Sequence, residues 1–489
     1  MPFRRSVVAL AFAVSCTWSA HAAANGRFPT AQHVLVGPGA GSDTIVLRAT
    51  FGLVISDDGG KTFHYVCEEA MGYGGSAFDP AVGLDASGRM LVGLYDGAVR
   101  VGTDRCDAPR VPTLAGEYVS DVDTNATGDV MAVSTATGFT EQRNYVWRSE
   151  DSGATFTRLG TGQLGTQFET LELAPTNDRR VYATALQLAP RRVVVYRSDD
   201  GGATLVDLTS FPQPDAIGAY VAAVDPTNAD TVYVRTIVAK VPGPGRQTAL
   251  LRSDDAGATW TEVVRTADLM TGFAIAGDGE KLWIGGLDPA DGLQRSLDRG
   301  ATWTRIADTK VQCLRWHAGS LYVCATNETD HYALGRSCDD GTTIHPLLGF
   351  SSIAGVFACP STSLETTSCP TRLDAIRPQF PTGDLPADDC ATSSDAGADT
   401  SPLLDADRDA DVSPADSSDA ADSTPDADAP GPEDASLVDA ASEGQEVAGS
   451  GCQCALHAVT RPADPRWLAL TVVAFGAVFL RRRARHRRP

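Results

Sequence analysis

The chain has 489 residues, 43% of them hydrophobic and 21% charged, with a formal net charge of −22. The apolar fraction excludes a wholly disordered chain, and the length admits several domains with an ample core. The acidity excludes an overall phosphate-neutralising surface, so nucleic acid is not an expected partner, while 47 Gly and 28 Pro suit the many turns of an all-β protein.

The charge is uneven along the chain. Residues 1–22 carry only Arg4 and Arg5, residues 391–450 carry 16 Asp/Glu against one Arg, and residues 451–489 carry eight Arg against one Asp. The intervening 23–390 holds the remainder of the negative charge. These blocks read as separate physical objects.

At the N-terminus, Arg4-Arg5 precedes a short apolar run and then Ala20-His21-Ala22. That layout is a secretory signal peptide with cleavage expected after Ala22, and the run is too short to span a bilayer. Lipoprotein processing at Cys16 is the weaker alternative, because Ala13-Val14-Ser15 lacks the usual leucine. Export permits disulfides. Outside the signal and the tail lie Cys67, Cys106, Cys313, Cys324, Cys338, Cys359, Cys369 and Cys390. Short loops favour Cys313–Cys324 and Cys359–Cys369, and Cys67–Cys106 is the third pair expected.

From residue 56 onward a repeat appears, Ser-x-Asp-x-Gly-x-Thr followed by an aromatic or aliphatic residue. Its first copy is Ser56-Asp57-Asp58-Gly59-Gly60-Lys61-Thr62-Phe63, and further copies start at Ser149, Ser198, Ser253, Ser296 and Ser337. The start-to-start steps are 93, 49, 55, 43 and 41 residues, and the first is about twice the rest. A worn unit around Gly97–Val101 and Cys106 fills that gap. Seven units of this length have the period of a propeller blade. In each motif the aspartate (Asp58, Asp151, Asp200, Asp255, Asp298, Asp339) accepts backbone N–H groups across the turn, and Gly60 and its equivalents supply positive φ. Trp260 and Trp303 should pack between blades.

Strand pairs recur upstream, as in residues 220–224 with 231–235, 171–175 with 180–183, and 273–276 with 281–285. Their apolar-polar alternation fits half-buried antiparallel strands. The expected fold is all-β, a seven-bladed β-propeller over 23–350. Six or eight blades stay open, because residues 352–359 could add an inner strand.

The motif resembles the Asp box, or BNR repeat, of sialidases, sortilin-type receptors and photosystem assembly-factor propellers. The order Arg48-Ala49-Thr50-Phe51-Gly52, motif, Cys67-Glu68-Glu69 is similar to secreted Asp-box proteins of myxobacteria. The resemblance implies that the motifs lie on the rim opposite the binding face, and that a ligand would meet the other face. Residues expected there include Arg48, Tyr73, Asp96, Arg235, Asp330 and His331. A sialidase would need an Arg cluster for a carboxylate, and Arg48, Arg235 and Arg315 are the strand arginines available. Arg27-Phe28-Pro29 is similar to the Arg-Ile-Pro segment of sialidases, but no nucleophile segment accompanies it. Two functions therefore stand, a non-catalytic propeller that binds a protein, peptide or glycan, and an exo-acting glycosidase of sialidase-like type. A purely structural role in a cell coat is the third. No cofactor and no metal are expected, and the propeller should be monomeric.

Beyond it, residues 351–390 form a Cys-containing extension. Residues 391–450 are Asp, Ala, Ser and Pro without aromatics, an expected disordered, self-repelling stalk of roughly 45 Å or more. Asp405, Asp407, Asp409 and Asp411 have calcium-loop spacing but lack its glycine. Residues 451–489 hold Cys452 and Cys454, an apolar run 467–480 of about 21 Å as a helix, and six arginines in 481–488. This resembles the C-terminal sorting tag of myxobacterial surface proteins, which implies processing near Cys452 and anchoring at the cell surface. Membrane contact is expected through this segment alone.

Overall fold

A computed structural model describes residues 27–381, 383, 385 and 390, except 38–42, 75–77, 137–140, 209, 213–214 and 242. The expected signal cleavage at Ala22, the acidic segment and the tail with Cys452 lie outside the described residues. Among the described residues no helix is long and apolar enough to cross a membrane.

The described residues form seven blade sheets in sequence order, the blades of a β-propeller, and one further two-stranded sheet of Arg143–Asn144 with Gln163–Leu164. Blade 1 is Ala31–Val36, Ile45–Ala49, Gly52–Ser56 and His64–Cys67. Blade 2 has three strands, Val82–Leu84, Met90–Leu94 and Gly97–Val101. Blade 3 is Val119–Thr124, Met131–Thr135, Val146–Ser149 and Thr157–Arg158; blade 4 is Thr166–Ala174, Asn177–Leu188, Arg191–Ser198 and Val206–Asp207. Blade 5 is Gly218–Val224, Val232–Ala239, Arg246–Ser253 and Thr261–Arg265; blade 6 is Met270–Ile275, Leu282–Gly286, Leu293–Ser296 and Thr304–Ala307. Blade 7 is Val311–His317, Ser320–Ala325, Leu334–Ser337 and His345–Leu348.

The inner strand that residues 352–359 could have added is not formed by the described residues. Gly355–Val356 instead pairs parallel with His64 and Tyr65, as a short fifth strand on the outer edge of blade 1. Apolar side chains from facing sheets fill the spaces between blades. Trp260 sits edge-on to Phe211, with ring centroids 5.1 Å apart, within the cluster shared by blades 4 and 5. Trp303 likewise packs into the cluster of blades 5 and 6.

The repeated turn joins strands three and four, and its six copies share one bonding pattern. The Ser hydroxyl donates to the Asp carboxylate at 2.7–2.8 Å. The same hydroxyl accepts the N–H of the fifth residue, a glycine, at 2.8–2.9 Å. The carboxylate accepts the N–H of the seventh residue at 2.8–2.9 Å. Slight burial pushes the Asp151 carboxyl up, but bonds from Thr155 and Ser149 outweigh it and hold the group at about 2. Gly257 shows why only glycine serves at position five: its φ is +88°, and a Cβ would stand 2.3 Å from Leu208 of the previous blade.

A further regularity ties the ring together. The residue before the motif serine is Arg in five blades, and Arg100 takes the same place in blade 2. Five of these arginines reach the next blade and donate to a backbone carbonyl there at 2.9–3.1 Å: Arg100 to Ser152, Arg148 to Asp178, Arg197 to Ala256, Arg252 to Arg299 and Arg295 to Asp340. Four of those carbonyls belong to the left-handed fourth residue of the next turn. In Ser152, Ala256 and Arg299 the N–H of that same residue bonds to its own blade, as Ala256 does to Asp230. One residue thus joins two blades, which satisfies groups that would otherwise be stranded in the interface.

Four disulfides form, Cys67–Cys369, Cys106–Cys359, Cys313–Cys324 and Cys338–Cys390. They are consistent with an extracellular protein. The expected Cys67–Cys106 and Cys359–Cys369 pairs do not occur. Each of those four cysteines instead takes a partner 253 or 302 residues away. The extension folds back on blades 1 and 2, which closes loops that sequence proximity does not suggest.

Candidate functional site

Strand direction fixes two faces. The 1–2 turns and the repeated 3–4 turns share one face, as the bonds Gly59 N–H to Asp43 and Arg299 N–H to Glu280 require. The 2–3 turns and the links between blades form the other, here called the mouth face.

Register aligns the blades around the mouth. Arg48 and Arg235 occupy the same position of the second strand, opposite His33 and Tyr220. Each donates to a carbonyl at the start of the next inner strand, Arg48 to Pro80 at 2.8 Å and Arg235 to Met270 at 3.1 Å. The Arg235 guanidinium also lies 5.8 Å from the Tyr220 ring centre. These two expected residues therefore play one structural role in two blades.

Both act on a histidine that the sequence reading passed over. His33 on the innermost strand of blade 1 has its pKa lowered to about 3, first by burial and then by the charges of Arg48, Arg315 and Arg235. The three strand arginines thus converge electrostatically on His33. Across the ring, blades 3 and 4 present carboxyls. Burial pushes Asp121 up to about 7, although its carboxylate accepts the Leu171 N–H at 2.8 Å. Asp123 accepts the Leu173 N–H at 2.7 Å and is also raised. Burial and the neighbouring Asp123 raise Glu172 well above the ordinary range. Asp121 and Asp123 thereby cap the free inner edge of blade 4. Thr170, at the position equivalent to Asp121, caps Val221 of blade 5 in the same way at 2.8 Å. Among the described residues Arg315 makes no ion pair within 4.0 Å, and it faces Asp123 and Glu172 as a charge across the axis.

The remaining expected residues lie around the rim. Tyr73 is half-buried in the link from blade 1 to blade 2, its ring edge-on to Phe78 at 5.8 Å. Phe78 in turn stacks at 4.1 Å on Tyr95, which lies 5.0 Å from Tyr118, so an aromatic row crosses blades 1 to 3. Asp96 is exposed and paired with Arg110 at 2.6 Å. Asp330 accepts the Lys310 N–H at 3.3 Å, and exposed His331 ends its short helix at φ 66°. The structure therefore sets Arg48 opposite His33 and Arg235 opposite Tyr220, and leaves Asp96, Asp330 and His331 on the rims of blades 2 and 7.

Beneath the aromatic row is a buried polar group. Arg27 grips Asp79 through two bonds of 2.7 and 2.8 Å, and Gln32 donates to the same carboxylate at 2.8 Å. Burial raises the nearby Glu68 carboxyl to about 7 against the pull of Arg27. Among the described residues no cluster of three or more His, Cys, Asp or Glu could hold a metal ion.

The mouth is lopsided. The second strands of blades 4 and 5 run eight residues from their partner of the motif serine, Val181–Leu188 and Val232–Ala239, against five in Ile45–Ala49. Three extra residues raise these hairpins by about 10 Å. Large hydrophobic side chains are exposed at nine positions among the described residues. Six of them, Phe28, Tyr95, Leu164, Ile217, Val241 and Leu287, belong to mouth-face connections. Val206 and Leu297 lie towards the opposite face and Leu364 on the extension.

No family model and no curated protein matches the chain. Several solved structures are similar to part of it. A GH74 xyloglucanase from Xanthomonas campestris is 14% identical, with 65% of this chain and 64% of that chain covered and a TM-score of 0.33. The chain thus spans less than two thirds of that enzyme. YCF48 bound to D1 peptide is 15% identical, covering 61% and 91%, with a TM-score of 0.41. Hydrazine synthase of Kuenenia stuttgartiensis is 12% identical, covering 63% and 96%, with a TM-score of 0.43. At 12–15% identity, none of these likenesses assigns an activity, ligand or partner to this chain.

Proposed function

We propose that this protein is an exported Asp-box propeller, displayed at the cell surface through its C-terminal segment, that binds a polypeptide ligand on its mouth face without catalysis. The observation that carries this reading is the grouping of six of the nine exposed large hydrophobics on that one face, beside two raised hairpins. Scattered apolar residues on a surface are ordinary, but their concentration on the face with the most varied loops favours recognition. Leu164, Ile217 and Val241 are branched aliphatic side chains, which suit an apolar peptide side chain better than a flat sugar ring.

The polar groups support the same reading. Glycoside hydrolysis needs two carboxyls facing each other across the scissile bond. Here Asp96 is paired with Arg110, Asp330 holds a backbone N–H, and Asp121 and Asp123 cap an adjacent strand. The test is binding of the full chain to a displayed random-peptide library, with a panel of fluorogenic glycosides as the second arm. Selected peptides should lose affinity at least tenfold with Val241→Asp and keep it with Leu297→Asp on the opposite face. Glycoside turnover lost on replacing one mouth carboxylate would overturn the reading in favour of the glycosidase.

A further inference from the structure

The inner strands of each blade come from one continuous stretch of chain, so blades 7 and 1 meet at a seam that no shared inner strand crosses. The extension lies over this region. Gly355–Val356 lengthens blade 1, and the helix Cys369–Ile376 follows. Leu373, Ile376 and Phe380 are buried in one apolar cluster with residues of blades 1, 2 and 7. Phe380 lies 5.5 Å from Phe51 at the mouth turn of blade 1 and 5.5 Å from Phe350 after blade 7. All three cysteines of the extension bond to the propeller: Cys359 to Cys106 after the last strand of blade 2, Cys369 to Cys67 ending blade 1, and Cys390 to Cys338 in the last repeated turn. Arg372 pairs with Glu69, two residues beyond Cys67.

We propose that residues 351–381, together with Cys390, are a thiol-sensitive clasp that holds the ring shut at the seam between blades 7 and 1 and fixes the mouth segment 68–73. The inference is independent of what the mouth binds. Cys67 begins the turn that carries Glu68 and leads to Tyr73, so the Cys67–Cys369 bond and the Arg372–Glu69 pair together anchor that turn from outside. Closing a loop of 302 residues removes much of the freedom of the open chain.

Access sets the order in which the clasp opens. Cys338 is exposed although its partner Cys390 is buried, Cys106 and Cys359 are half-buried, and Cys67 and Cys369 are wholly buried. A dithiol reductant must bring its thiolate in line with a sulfur, so the bond that can be attacked at exposed Cys338 reacts first. At each bond the thiolate attacks one sulfur and expels the other as a cysteine thiolate, forming a mixed disulfide. The second thiol of the reductant then displaces the remaining cysteine. Two electrons and two protons pass to the protein, which gains two thiols, and the reductant leaves as a cyclic disulfide. The sequence runs from Cys338–Cys390 through Cys106–Cys359 to Cys67–Cys369, and release of the last frees segment 68–73.

The experiment is graded reduction of the full chain with dithiothreitol under native conditions, with alkylation, peptide mapping and hydrogen exchange at each step. The clasp predicts labelling in the stated order. When Cys67–Cys369 opens, amides of Ala31–Val36, of 68–73 and of Val311–His317 should exchange about 100-fold faster, while those of Gly218–Val224 keep their protection. Unchanged exchange at the seam after all three bonds are cut would overturn the proposal. Opening of all four disulfides together with loss of protection throughout the ring would overturn it too. A variant with Cys338→Ser and Cys390→Ser should open Cys106–Cys359 at least tenfold faster; an unchanged rate contradicts the order.

Discussion

The two faces of the ring are built on opposite plans. On the turn face six copies of one motif make the same bonds at the same distances, and five arginines repeat one inter-blade bond. On the mouth face the blades share little beyond the Arg48 and Arg235 position and the lengthened second strands of blades 4 and 5. Blade 1 offers Phe28, blade 2 Tyr95 and Asp96, blade 5 a raised hairpin with Val241, and blade 7 Asp330 and His331. Repetition marks how most blades are joined to their neighbours, and variation marks the face on which the proposed ligand would be read.

Substitutions should separate the faces by their effect on stability. The largest loss is expected for Gly257→Ala, because a Cβ there meets Leu208 at 2.3 Å with φ at +88°. A cost of about 2–4 kcal/mol in urea unfolding is expected from overpacking and the backbone conformation together. Arg252→Ala removes the bond to Arg299 and the pair with Asp254, and should cost about 1–2 kcal/mol. A loss near zero would mean that the arginine staples are ornamental.

The axis carries a pH signature. Asp121 has its pKa raised from 3.8 to about 7, so the folded protein holds a proton that the unfolded chain releases. The stability contribution of this group therefore falls as pH rises from about 4 to 7, and the loss is complete above 7. Asp121→Asn keeps an oxygen for the Leu171 N–H but cannot ionise. Relative to the parent it should gain about 1–2 kcal/mol more at pH 8 than at pH 5 in paired urea titrations. His33 works in the opposite sense between pH 6.5 and 3, and this difference measurement cancels it. The smallest stability effect belongs to the mouth surface. Val241 is 79% exposed, so Val241→Asp should leave the thermal midpoint within about 1 °C of the parent.

The turn face was legible because self-similarity is visible in a single chain. Six copies of Ser-x-Asp-x-Gly-x-Thr gave the blades and the roles of Asp58 and Gly60 without coordinates. The arginines before the motif were equally visible, at Arg148, Arg197 and Arg252, but a strand residue does not announce which blade it reaches. At the mouth Arg48 and Arg235 were chosen as separate candidates, and only the strand register makes them equivalent. His33, Asp121 and Glu172 were missed because a polar residue on an inner strand looks like one on a solvated strand until the ring closes around it. The sole signal was local, the Ser-Asp-Val-Asp alternation at 120–123. The disulfides failed for a related reason. Spacing favoured near neighbours, whereas the return of the extension to blade 1 is decided by the burial of Leu373, Ile376 and Phe380.

The division between a structural face and a recognition face is tested most directly by a paired measurement on peptides selected against the full chain. Affinity and thermal midpoint are read together for Val241→Asp and Arg252→Ala. The account predicts at least tenfold weaker binding with an unchanged midpoint for Val241→Asp. For Arg252→Ala it predicts a lowered midpoint with binding retained below the transition. Undiminished binding by Val241→Asp, with loss of binding in Arg252→Ala while it remains folded, would place recognition on the turn face and contradict the account.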